Sequence, residues 1–427
     1  MNKYAEYRRE FHHYPENGWT EIRTSARIAE ILTEMGYKPI VGEDVCNMDS
    51  VVDLCKPTKE QIDELMKKAV EQGANKEYVD AAKGIPGVIA IYDTGVEGPT
   101  TAFRFDIDCL PYDEPQEKGF RPFDEGFISC NPGAVHACGH DTHTAIGLGL
   151  ADTLMNGKHN VKKGKIKMIF QPAEETYGGA LSIVDKGHLD DCDYFISQHI
   201  ALMKDGIPLT SHKMVCGTKD LLGVRQVDLH IHGYAAHPCS DSQNGRNAIL
   251  CACQIALAVH GIAPHSEGLA RVNVGQISGG IAPNTIAPEA TVTIEYRGET
   301  QPILKYMHQR VFEIINGITA AYGCTYTYDD YGETAAGKSD DKMMEVIKRA
   351  AEKTPWFSEI YYEGEVGGTD DAAVMMNRVQ EKGGIGAYWG IGTDTTVPVH
   401  NAKFDLDEDC IMPTIELTVN ALEELHA

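Results

Sequence analysis

The chain has 427 residues, of which 42% are hydrophobic, and its 38 basic and 63 acidic side chains give a formal net charge of −25. This length exceeds one ordinary core and predicts two domains, and the acidic charge argues against nucleic acid or an anionic membrane as a partner. No apolar run is long enough for a membrane helix, and the charged, polar start predicts no signal peptide. With twelve scattered cysteines, we expect a cytoplasmic protein with mostly reduced thiols.

Helices and strands alternate through the first 200 residues. The spacing of apolar residues predicts helices over 4–14, 21–35, 143–154 and 178–186, and strands over 87–92, 101–107, 165–170 and 194–199. This alternation predicts a largely parallel sheet that is covered by helices.

Residues 43–85 interrupt the alternation. Thr58-Lys59-Glu60-Gln61 is a capping box that predicts a helix to about Gln72. The segment is charged and carries no obvious chemistry, so we interpret it as a solvated helical insertion. A partner-binding or lid role is the alternative.

The pattern of predicted helices and strands changes after about Gly217. Apolar patterning predicts strands over 224–232, 271–277, 290–297 and 325–328, and helices over 247–261 and 303–322. The order strand-helix-strand-strand-helix-strand predicts a ferredoxin-like α+β unit. The predicted elements then resume the α/β pattern of the first 200 residues, over 342–353, 371–378, 385–390 and 407–425. We therefore predict a large domain of residues 1–215 and 328–427, interrupted by a small domain of residues 216–327.

Side chains that bind metals concentrate in one stretch. His136-Ala137-Cys138-Gly139-His140-Asp141-Thr142-His143 places three histidines, a cysteine and an aspartate within eight residues. Imidazole and thiolate hold zinc and similar divalent ions well, and such groups are costly to bury without a metal or a proton network. The stretch therefore predicts a metal site whose remaining ligands come from elsewhere.

Polar residues also follow three of the predicted strands. Asp106 and Asp108 lie near the end of one strand, Glu174 and Glu175 follow another, and His199 ends a third. A single histidine is commonly just hydrogen-bonded, and paired glutamates are commonly solvated. Because α/β folds bind ligands at the carboxyl ends of their strands, the agreement of three strand ends favours one shared site.

Five strings resemble the M20 metallopeptidase family, in its amidohydrolase branch: RREFHHYPENGWTE, RFDIDCLP, HACGHDTHTA, IFQPAEE and VPVHNAKFD. The resemblance covers essentially the whole chain, and within the branch it is closest to the p-aminobenzoyl-glutamate hydrolase group. It implies a mixed, mostly parallel α/β metallopeptidase domain with an inserted ferredoxin-like lid that forms dimers. It also implies metal-dependent amide hydrolysis of N-acyl amino acids, with p-aminobenzoyl-glutamate or a similar aroyl-glutamate as the expected substrate.

The resemblance assigns roles to residues of this chain. Five residues match ligands of two divalent metal ions, Mn²⁺ or Zn²⁺: Cys138, His140, Glu175, His199 and His400. Glu174 matches the general base, and Asp108 matches an acidic residue that orients a ligand beside the metals. Asp106 stands where the peptidase branches carry a histidine ligand.

The resemblance extends to the lid and to one departure. Three lid residues match groups that reach the substrate: His237 at the oxyanion, Asn284, and Arg297 at the substrate carboxylate. Asp370 stands where the family usually has a glutamate before the final aspartate, a change that we expect to alter pocket shape without touching a ligand.

Other interpretations stay open from sequence. The substrate alternatives are N-acetyl amino acids, hippurate and dipeptides, and a catalytically inactive binding or scaffold protein is the non-enzyme alternative. Cys138 could instead act as a nucleophile with His140 or His143 as its base. A zinc deaminase is set aside, because His265-Ser266-Glu267 lacks the required Pro-Cys-x-x-Cys.

The lid also admits a simpler interpretation and raises a question of partners. His237 could merely cap a turn, and Arg297 could merely face solvent. By the resemblance we expect a homodimer through the lid, or a heteromer with a related subunit.

Overall fold

The computed structural model describes residues 2–176 and 178–427. The chain divides into two compact units, one formed by the residues up to Asp220 together with Lys338–Ala427, and the other by Leu221–Gly337. The second unit ends ten residues later than the sequence predicted. The reason is that its last strand runs to Thr334, because the polar tail of this strand breaks the apolar alternation by which strands are recognised.

In the described residues the strands are β1 (Ile40–Val41), β2 (Val88–Asp93), β3 (Thr100–Asp106), β4 (Lys165–Gln171), β5 (Tyr194–Ile200), β6 (Met203–Lys204), β7 (Ile207–Pro208), β8 (Lys213–Val215), β9 (Gly223–His232), β10 (Ala270–Gly279), β11 (Glu289–Gly298), β12 (Thr325–Thr334), β13 (Glu359–Tyr361) and β14 (Ile385–Ile391).

The α-helices of the same residues are α1 (Lys3–His13), α2 (Ile22–Glu34), α3 (Lys59–Glu71), α4 (Lys76–Ala82), α5 (Arg121–Asp124), α6 (His140–Met155), α7 (Gly179–Asp185), α8 (Ala248–Val259), α9 (Gln301–Tyr322), α10 (Asp341–Glu352), α11 (Ala372–Glu381) and α12 (Ile411–Leu425). Short 3₁₀ turns occupy Gly42–Asp44, Met48–Ser50, Asp53–Cys55, Ser242–Asn244 and Glu408–Cys410.

The first unit is built on one sheet in the order β1-β2-β4-β3-β5-β14-β8-β13. The four central strands β4, β3, β5 and β14 run parallel to one another, and the strands β1 and β2 at one end are antiparallel to their neighbours. The prediction of a mixed, mostly parallel sheet is confirmed. The carboxyl ends of the four central strands therefore meet at one edge of the sheet.

Helices cover both faces of this sheet. Ile196 of β5 and Trp389 of β14 belong to a core that also contains the apolar sides of α6, α10 and α12. On the opposite face, Met376 of α11 packs against Gly386 of β14, and α7 packs on α11. Because side chains alternate between faces along a strand, each central strand is buried on both sides.

The second unit is a four-stranded antiparallel sheet in the order β10-β11-β9-β12, with α8 and α9 packed on it. This strand order with two helices is the ferredoxin-like arrangement. Val227, Leu229 and Ile231 are buried at every second position of β9. This period-two pattern is the one that the sequence shows, and it fixes which face of the strand packs against the helices.

The insertion at residues 43–85 contains two helices, although the sequence predicted one. The capping box at Thr58 and Gln61 is confirmed, since each side chain bonds the backbone of the other residue. Ala69 and Val79 pack with Ile22 of α2 in a small core of their own. One side of the insertion is therefore buried, and only its other side is solvated.

Short elements account for most of the strands that sequence patterns did not predict. β8 and β13 have three residues each, and a period-two signal needs at least four. No helix in the described part of the chain is long and apolar enough to cross a membrane.

Candidate metal centre

The candidate metal centre lies where the four parallel central strands end. Asp106 is the last residue of β3, Glu174 and Glu175 follow β4, and His199 is the penultimate residue of β5. His400 lies in the loop that follows β14. The predicted convergence of strand ends thus brings these side chains to one edge of the sheet.

Left-handed backbone conformations occur at or beside the predicted ligands on several of the turns at this edge. Gly139 (φ 89°), Ala173 (φ 54°), Ala201 (φ 64°) and His400 (φ 63°) all have positive φ. A side chain at Gly139 would also collide with Ile200, because an added Cβ would lie 2.1 Å from its Cδ1. Such strained turns cluster at functional sites, where surrounding structure must hold them.

Four of the five predicted ligands form one contiguous group. The Sγ atom of Cys138 lies 3.6 Å from Nε2 of His199 and 3.5 Å from Nε2 of His400. The Nε2 atom of His400 lies 3.5 Å from Oε1 of Glu175. These are separations that ligands of one or two shared ions have from each other, since zinc–ligand distances are about 2.0 to 2.3 Å.

The fifth predicted ligand, His140, adjoins this group through His199. Its Nδ1 donates to the backbone carbonyl of Asp108 at 3.0 Å and lies 3.2 Å from the carboxylate of the same residue. Nδ1 therefore carries a proton, and Nε2 is the atom at which a metal ion would bind. That Nε2 lies 3.8 Å from Asp106 and 3.9 Å from Glu174. A histidine held by a carboxylate in this way is a typical metal ligand.

His199 is oriented by the same principle. Its Nδ1 donates to the backbone carbonyl of Ile200 at 2.5 Å, which leaves Nε2 unprotonated and facing Cys138. Burial, together with His143, lowers the pKa of His199 to about 3. The ring is therefore neutral at physiological pH, as a metal ligand must be.

His143 belongs to the cluster in sequence but has both ring nitrogens engaged. Its Nδ1 donates to Oδ1 of Asp106 at 2.5 Å, and its Nε2 accepts from the backbone N–H of Ile200 at 3.1 Å. No lone pair is left for a metal, so the structure gives His143 the role of orienting Asp106.

The residues present fit divalent metal ions. Within the described residues, Nε2 of His140 and Oε1 of Glu175 are buried polar atoms that have no hydrogen-bond partner. Six carboxyl groups lie together around them: Asp106, Asp108, Glu174, Glu175, Asp370 and Asp371. Arg104 is the buried guanidinium among them, so divalent cations would balance the remaining negative charge.

Burial raises the pKa values of several acidic side chains in this site. Burial, followed by the charge of Glu175, raises the pKa of the Cys138 thiol well above its usual range. Burial, followed by Asp370, does the same to the pKa of Glu174, and burial raises the pKa of Glu175 to about 7. Because metals bind the thiolate, occupation of the site by a metal must displace a proton from Cys138.

Arg104 is a buried residue of the candidate site that sequence reasoning missed. Its guanidinium lies 2.5 Å from Asp106 and 2.9 Å from Asp371, and its Nε donates to Gln171 at 2.8 Å. Tyr388 donates to Asp370 at 2.6 Å on the far side of this network. The available signal was a charge in a strand, TTAFRFD, in which every residue is buried, since a buried charge requires partners.

Asp370, which stands where the family usually has a glutamate, affects the site more than the sequence analysis predicted. Asp370 touches none of the five predicted ligands, but its carboxylate lies within 4.8 Å of the carboxylate of Glu174. The shorter side chain thus stands beside the predicted base and affects more than pocket shape.

A second buried network supports the amino-terminal end of α6. Asp141, the neighbour of His140, lies 2.8 Å from Arg8 and 2.8 Å from Nδ1 of His12. The other nitrogen of His12 lies 2.9 Å from Glu114. Because both nitrogens of His12 donate to carboxylates, this ring is the charged imidazolium.

Cys138 is not paired with His140 or His143, the two histidines that the sequence offered as its base. Its imidazole neighbours are His199 and His400. His140 and His143, the predicted alternatives, hydrogen-bond to Asp108 and Asp106 through Nδ1. The geometry gives Cys138 the surroundings of a ligand.

The residues predicted to reach the substrate from a lid lie at two different ends of the small sheet in the second unit. The backbone N–H of Ile286 donates to the carbonyl of Ala236 at 2.9 Å, so the loops that carry His237 and Asn284 adjoin. Arg297 pairs with Val224 at the other end of β11, eight residues from Glu289. At about 3.3 Å per residue this is about 26 Å. One lid therefore does not bring these three residues together.

Each lid residue also has local partners. Nδ1 of His237 accepts from the backbone N–H groups of Cys239 and Ser240, both at 3.2 Å, and so caps this turn. It leaves Nε2–H as an exposed donor. Asn284 is exposed, and Nε of Arg297 donates to Glu295 at 2.8 Å.

Comparison with known proteins places the chain in a family. The model of peptidase family M20/M25/M40 matches residues 102–424. The chain is 39% identical to indole-3-acetyl-aspartic acid hydrolase from Enterobacter agglomerans, over 98% of this chain and 95% of that protein. It is also 39% identical to a subunit of p-aminobenzoyl-glutamate hydrolase from Escherichia coli K12, over 97% of this chain and 94% of that protein.

Solved structures agree. An aminobenzoyl-glutamate utilization protein from Klebsiella pneumoniae has a TM-score of 0.79 at 33% identity, covering 99% of this chain and 95% of that one. The Bacillus subtilis YXEP protein, described as a dinuclear metal-binding peptidase of family M20, shares the fold with a TM-score of 0.71 at 21% identity, covering 99% and 98%. The chain therefore belongs to peptidase family M20/M25/M40, the family that its five motifs predicted, and is a metal-dependent hydrolase.

Proposed function

We propose that the protein hydrolyses the amide bond of N-acyl amino acids, with p-aminobenzoyl-glutamate or a similar aroyl-glutamate as its substrate. The observation that carries this proposal is the group of predicted ligands at the sheet edge with Glu174 beside it. The two relatives at 39% identity are named for substrates with an aromatic acyl group joined to aspartate or glutamate. An aromatic acyl group and an acidic amino acid are their shared chemistry.

We assign five residues to two divalent metal ions: Cys138, His140, Glu175, His199 and His400. When bound, such ions polarise the amide carbonyl and make water a better nucleophile at neutral pH. The thiolate of Cys138 favours Zn²⁺, and the imidazole and carboxylate ligands also suit Mn²⁺.

Glu174 is the general base and then the general acid. Its carboxylate takes a proton from the attacking water and returns that proton to the leaving amide nitrogen, so the free amine departs. Its buried position beside Asp370 keeps bulk water from competing for that proton. Asp108 holds His140 in one tautomer and accepts from the backbone N–H of Glu175 at 2.9 Å, and so orients two ligands at once.

The lid supplies the groups that recognise substrate. Nε2–H of His237 donates to the oxyanion that forms on the amide carbonyl, and Asn284 hydrogen-bonds the substrate nearby. The guanidinium of Arg297 binds the carboxylate of the amino acid through two parallel hydrogen bonds. Because His237 and Arg297 lie at opposite ends of the small sheet, whose strand β11 spans about 26 Å from Glu289 to Arg297, we propose that a complete site requires lids from two chains.

We propose a homodimer through the lid as the source of the second set, and the alternative is a heteromer with a related subunit. In the described residues β10 is an edge strand, which pairs with β11 on one side. Ile277 on this strand and Leu257 on α8 are exposed apolar residues that a second lid would cover. We place the enzyme in the cytoplasm.

The first test is hydrolysis by the purified chain, stripped with a chelator and reloaded with Mn²⁺ or Zn²⁺. The panel contains p-aminobenzoyl-glutamate, indole-3-acetyl-aspartate, hippurate, N-acetylglutamate and a dipeptide. We expect metal-dependent cleavage with the aromatic acyl-glutamate or acyl-aspartate fastest. Preference for an acetyl substrate or a dipeptide would contradict the substrate proposal, and no cleavage with two ions bound would contradict activity of the single chain.

A mixing experiment tests the shared site. Arg297→Ala and His237→Ala are each expected to be nearly inactive, and a dimer of one with the other has one intact site out of two. An equal mixture that exchanges subunits should recover about a quarter of the wild-type activity. Without recovery after verified exchange, both residues must act within one chain.

A further inference from the structure

Residues 16–21 connect the two loops that carry the acidic residues of the metal centre. The backbone N–H of Cys109, next to Asp108, donates to the carbonyl of Glu16 at 3.0 Å. Gly18 packs so tightly that an added Cβ would lie 2.3 Å from Oγ1 of Thr176 and 3.2 Å from Cα of Ala173. This segment therefore contacts the loop after β3 and the turn after β4 together.

Glu21 is a fully buried carboxyl group in this segment. Its Oε1 accepts from the backbone N–H of Ala173 at 2.7 Å, and within the described residues its Oε2 has no hydrogen-bond partner. Burial, followed by Asp108, raises the pKa of Glu21 well above its usual range. A buried carboxyl group without an ion pair is costly to keep, and no step of the proposed reaction uses it.

The partner of Glu21 is a strained residue. Ala173 has a φ of 54° and is completely buried, directly before Glu174 and Glu175. The left-handed conformation is unfavourable for an alanine, because its Cβ crowds the following carbonyl oxygen. The direction in which this turn leaves β4 decides where the carboxylates of Glu174 and Glu175 lie.

We propose that Glu21 is a positioning residue for Glu174, because its carboxyl oxygen holds the N–H of Ala173 and thereby the left-handed turn that presents the base. The inference rests on the proposed function in one respect, namely that Glu174 is the general base. Glu21 acts through Ala173 and touches no reacting atom.

Two substitutions separate the acceptor oxygen from the rest of the side chain. Glu21→Gln keeps an oxygen for the N–H of Ala173, and Glu21→Met has similar length without an acceptor. Misplacing a catalytic group by about 1 Å costs on the order of 100-fold in rate. We expect Glu21→Met to lower kcat by about 10- to 100-fold, with KM and the content of two metal ions retained, and Glu21→Gln to keep kcat near wild type.

Hydrogen exchange gives a readout that does not depend on activity. The amide of Ala173 should exchange faster in Glu21→Met than in the wild type, with or without metal, and remain protected in Glu21→Gln. A crystal structure of Glu21→Met should show the turn at Ala173 displaced.

Glu16 provides the matched control. It is also a buried glutamate, but its carboxylate accepts from the backbone N–H groups of Arg23 and Thr24 at 3.0 and 2.8 Å and so caps α2. Glu16→Ala should lower the unfolding temperature, because α2 loses this cap, and leave kcat unchanged below that temperature. This pattern would separate positioning from a general loss of stability.

Three outcomes would overturn the proposal: wild-type kcat in Glu21→Met, equal loss in Glu21→Gln and Glu21→Met, or a loss in Glu21→Met that follows loss of metal. A metal-loaded wild type without hydrolysis of any substrate would instead contradict activity of the single chain, the part of the proposed function on which the kinetic test rests. The exchange rates of Ala173 would then still decide whether Glu21 holds the turn.

Discussion

The guanidinium of Arg104 lies 2.9 Å from the carboxylate of Asp370, 266 residues further along the chain, and both side chains are almost completely buried. Arg104 also contacts Asp106 and Asp371. One cation thus joins the end of β3 to the start of α11. The Arg104–Asp370 ion pair therefore helps to hold the site together and balances part of its negative charge.

Arg104→Met should destabilise the fold strongly, since it leaves three carboxylates without their cation. Removing one partner of a buried ion pair typically costs about 3 to 5 kcal/mol. Urea unfolding monitored by tryptophan fluorescence measures this change. Arg378→Met is the control, because Arg378 pairs with Asp190 at the surface and such pairs contribute about 0 to 1 kcal/mol. Equal losses in both variants would contradict this account.

Glu174→Gln and Glu175→Gln should separate the base from the ligand. Glu174→Gln removes proton transfer and should lower kcat by about 100- to 10,000-fold while two metal ions stay bound. Glu175→Gln removes a predicted ligand atom, so metal content should fall as well. Metal analysis and steady-state kinetics on the same samples decide between these patterns. Near-wild-type turnover in Glu174→Gln would remove Glu174 from the mechanism.

Cys138→Ser should change which metal the site prefers. Thiolate is a softer ligand than an alcohol and favours zinc over manganese, so the variant should lose Zn²⁺ affinity more than Mn²⁺ affinity. Competition with a chromogenic chelator measures both affinities. Cys130→Ser serves as control, since Cys130 is exposed and lies outside the cluster. Unchanged zinc affinity in Cys138→Ser would show that Sγ is not a ligand.

The buried imidazolium of His12 should make stability depend on pH. Burial opposes its charge, but the hydrogen bonds to Asp141 and Glu114 outweigh burial and raise the pKa of His12 to about 9. A raised pKa in the folded state means that the stabilisation is fully present below about pH 6.5, the pKa of the unfolded chain, and is lost as pH rises toward about 9. The loss is on the order of 3 kcal/mol.

Chemical denaturation at about pH 6, 7.5 and 9 tests this dependence. Arg8, Asp405 and Glu408 pack around His12 and Asp141 and stay charged throughout this range, so they add little slope. His12→Gln should be less stable than the wild type at the lowest of these pH values. Its free energy of unfolding should also depend less on pH, because the variant has no imidazole to titrate at this position. Parallel slopes in variant and wild type would assign the dependence to other groups.

Arg271 should contribute to recognition of the side-chain carboxylate of an acidic amino acid. It stands directly opposite Arg297 in the β10–β11 pair, so the two side chains lie on one face, about 5 Å apart at Cβ. Two adjacent arginines in so acidic a protein suit a substrate with two carboxylates. Arg271→Ala should raise KM for acyl-glutamate substrates about tenfold or more and change KM little for acyl-alanine. Equal effects on both substrates would exclude this role.

The sequence predicted most of the candidate site because its signals are local. Ligand types cluster within eight residues around Cys138 and His140, and other polar residues follow strands with strong apolar patterns. The topology then brings them together without further information, because parallel neighbours end at one edge. For the same reason the mostly parallel sheet could be predicted before the strand order was known.

The parts that were missed depend on contacts between distant segments. Arg104 meets Asp370 across 266 residues, and Glu21 meets Ala173 across 152. Contacts between residues so far apart along the chain produce no periodic pattern in the sequence from which they could be predicted. The second helix of the insertion and the strands β8 and β13 were missed because they are too short for a reliable period.

The placement of β14 between β5 and β8 has a consequence for synthesis on the ribosome. β5 ends at Ile200, but the strand that covers its edge begins at Ile385. At about 5 to 20 residues per second, the growing chain carries an open, apolar sheet edge for roughly 10 to 40 seconds. The contiguous second unit can complete its own sheet in that interval, so the nascent protein should depend on chaperones through its first segment and much less through its second unit.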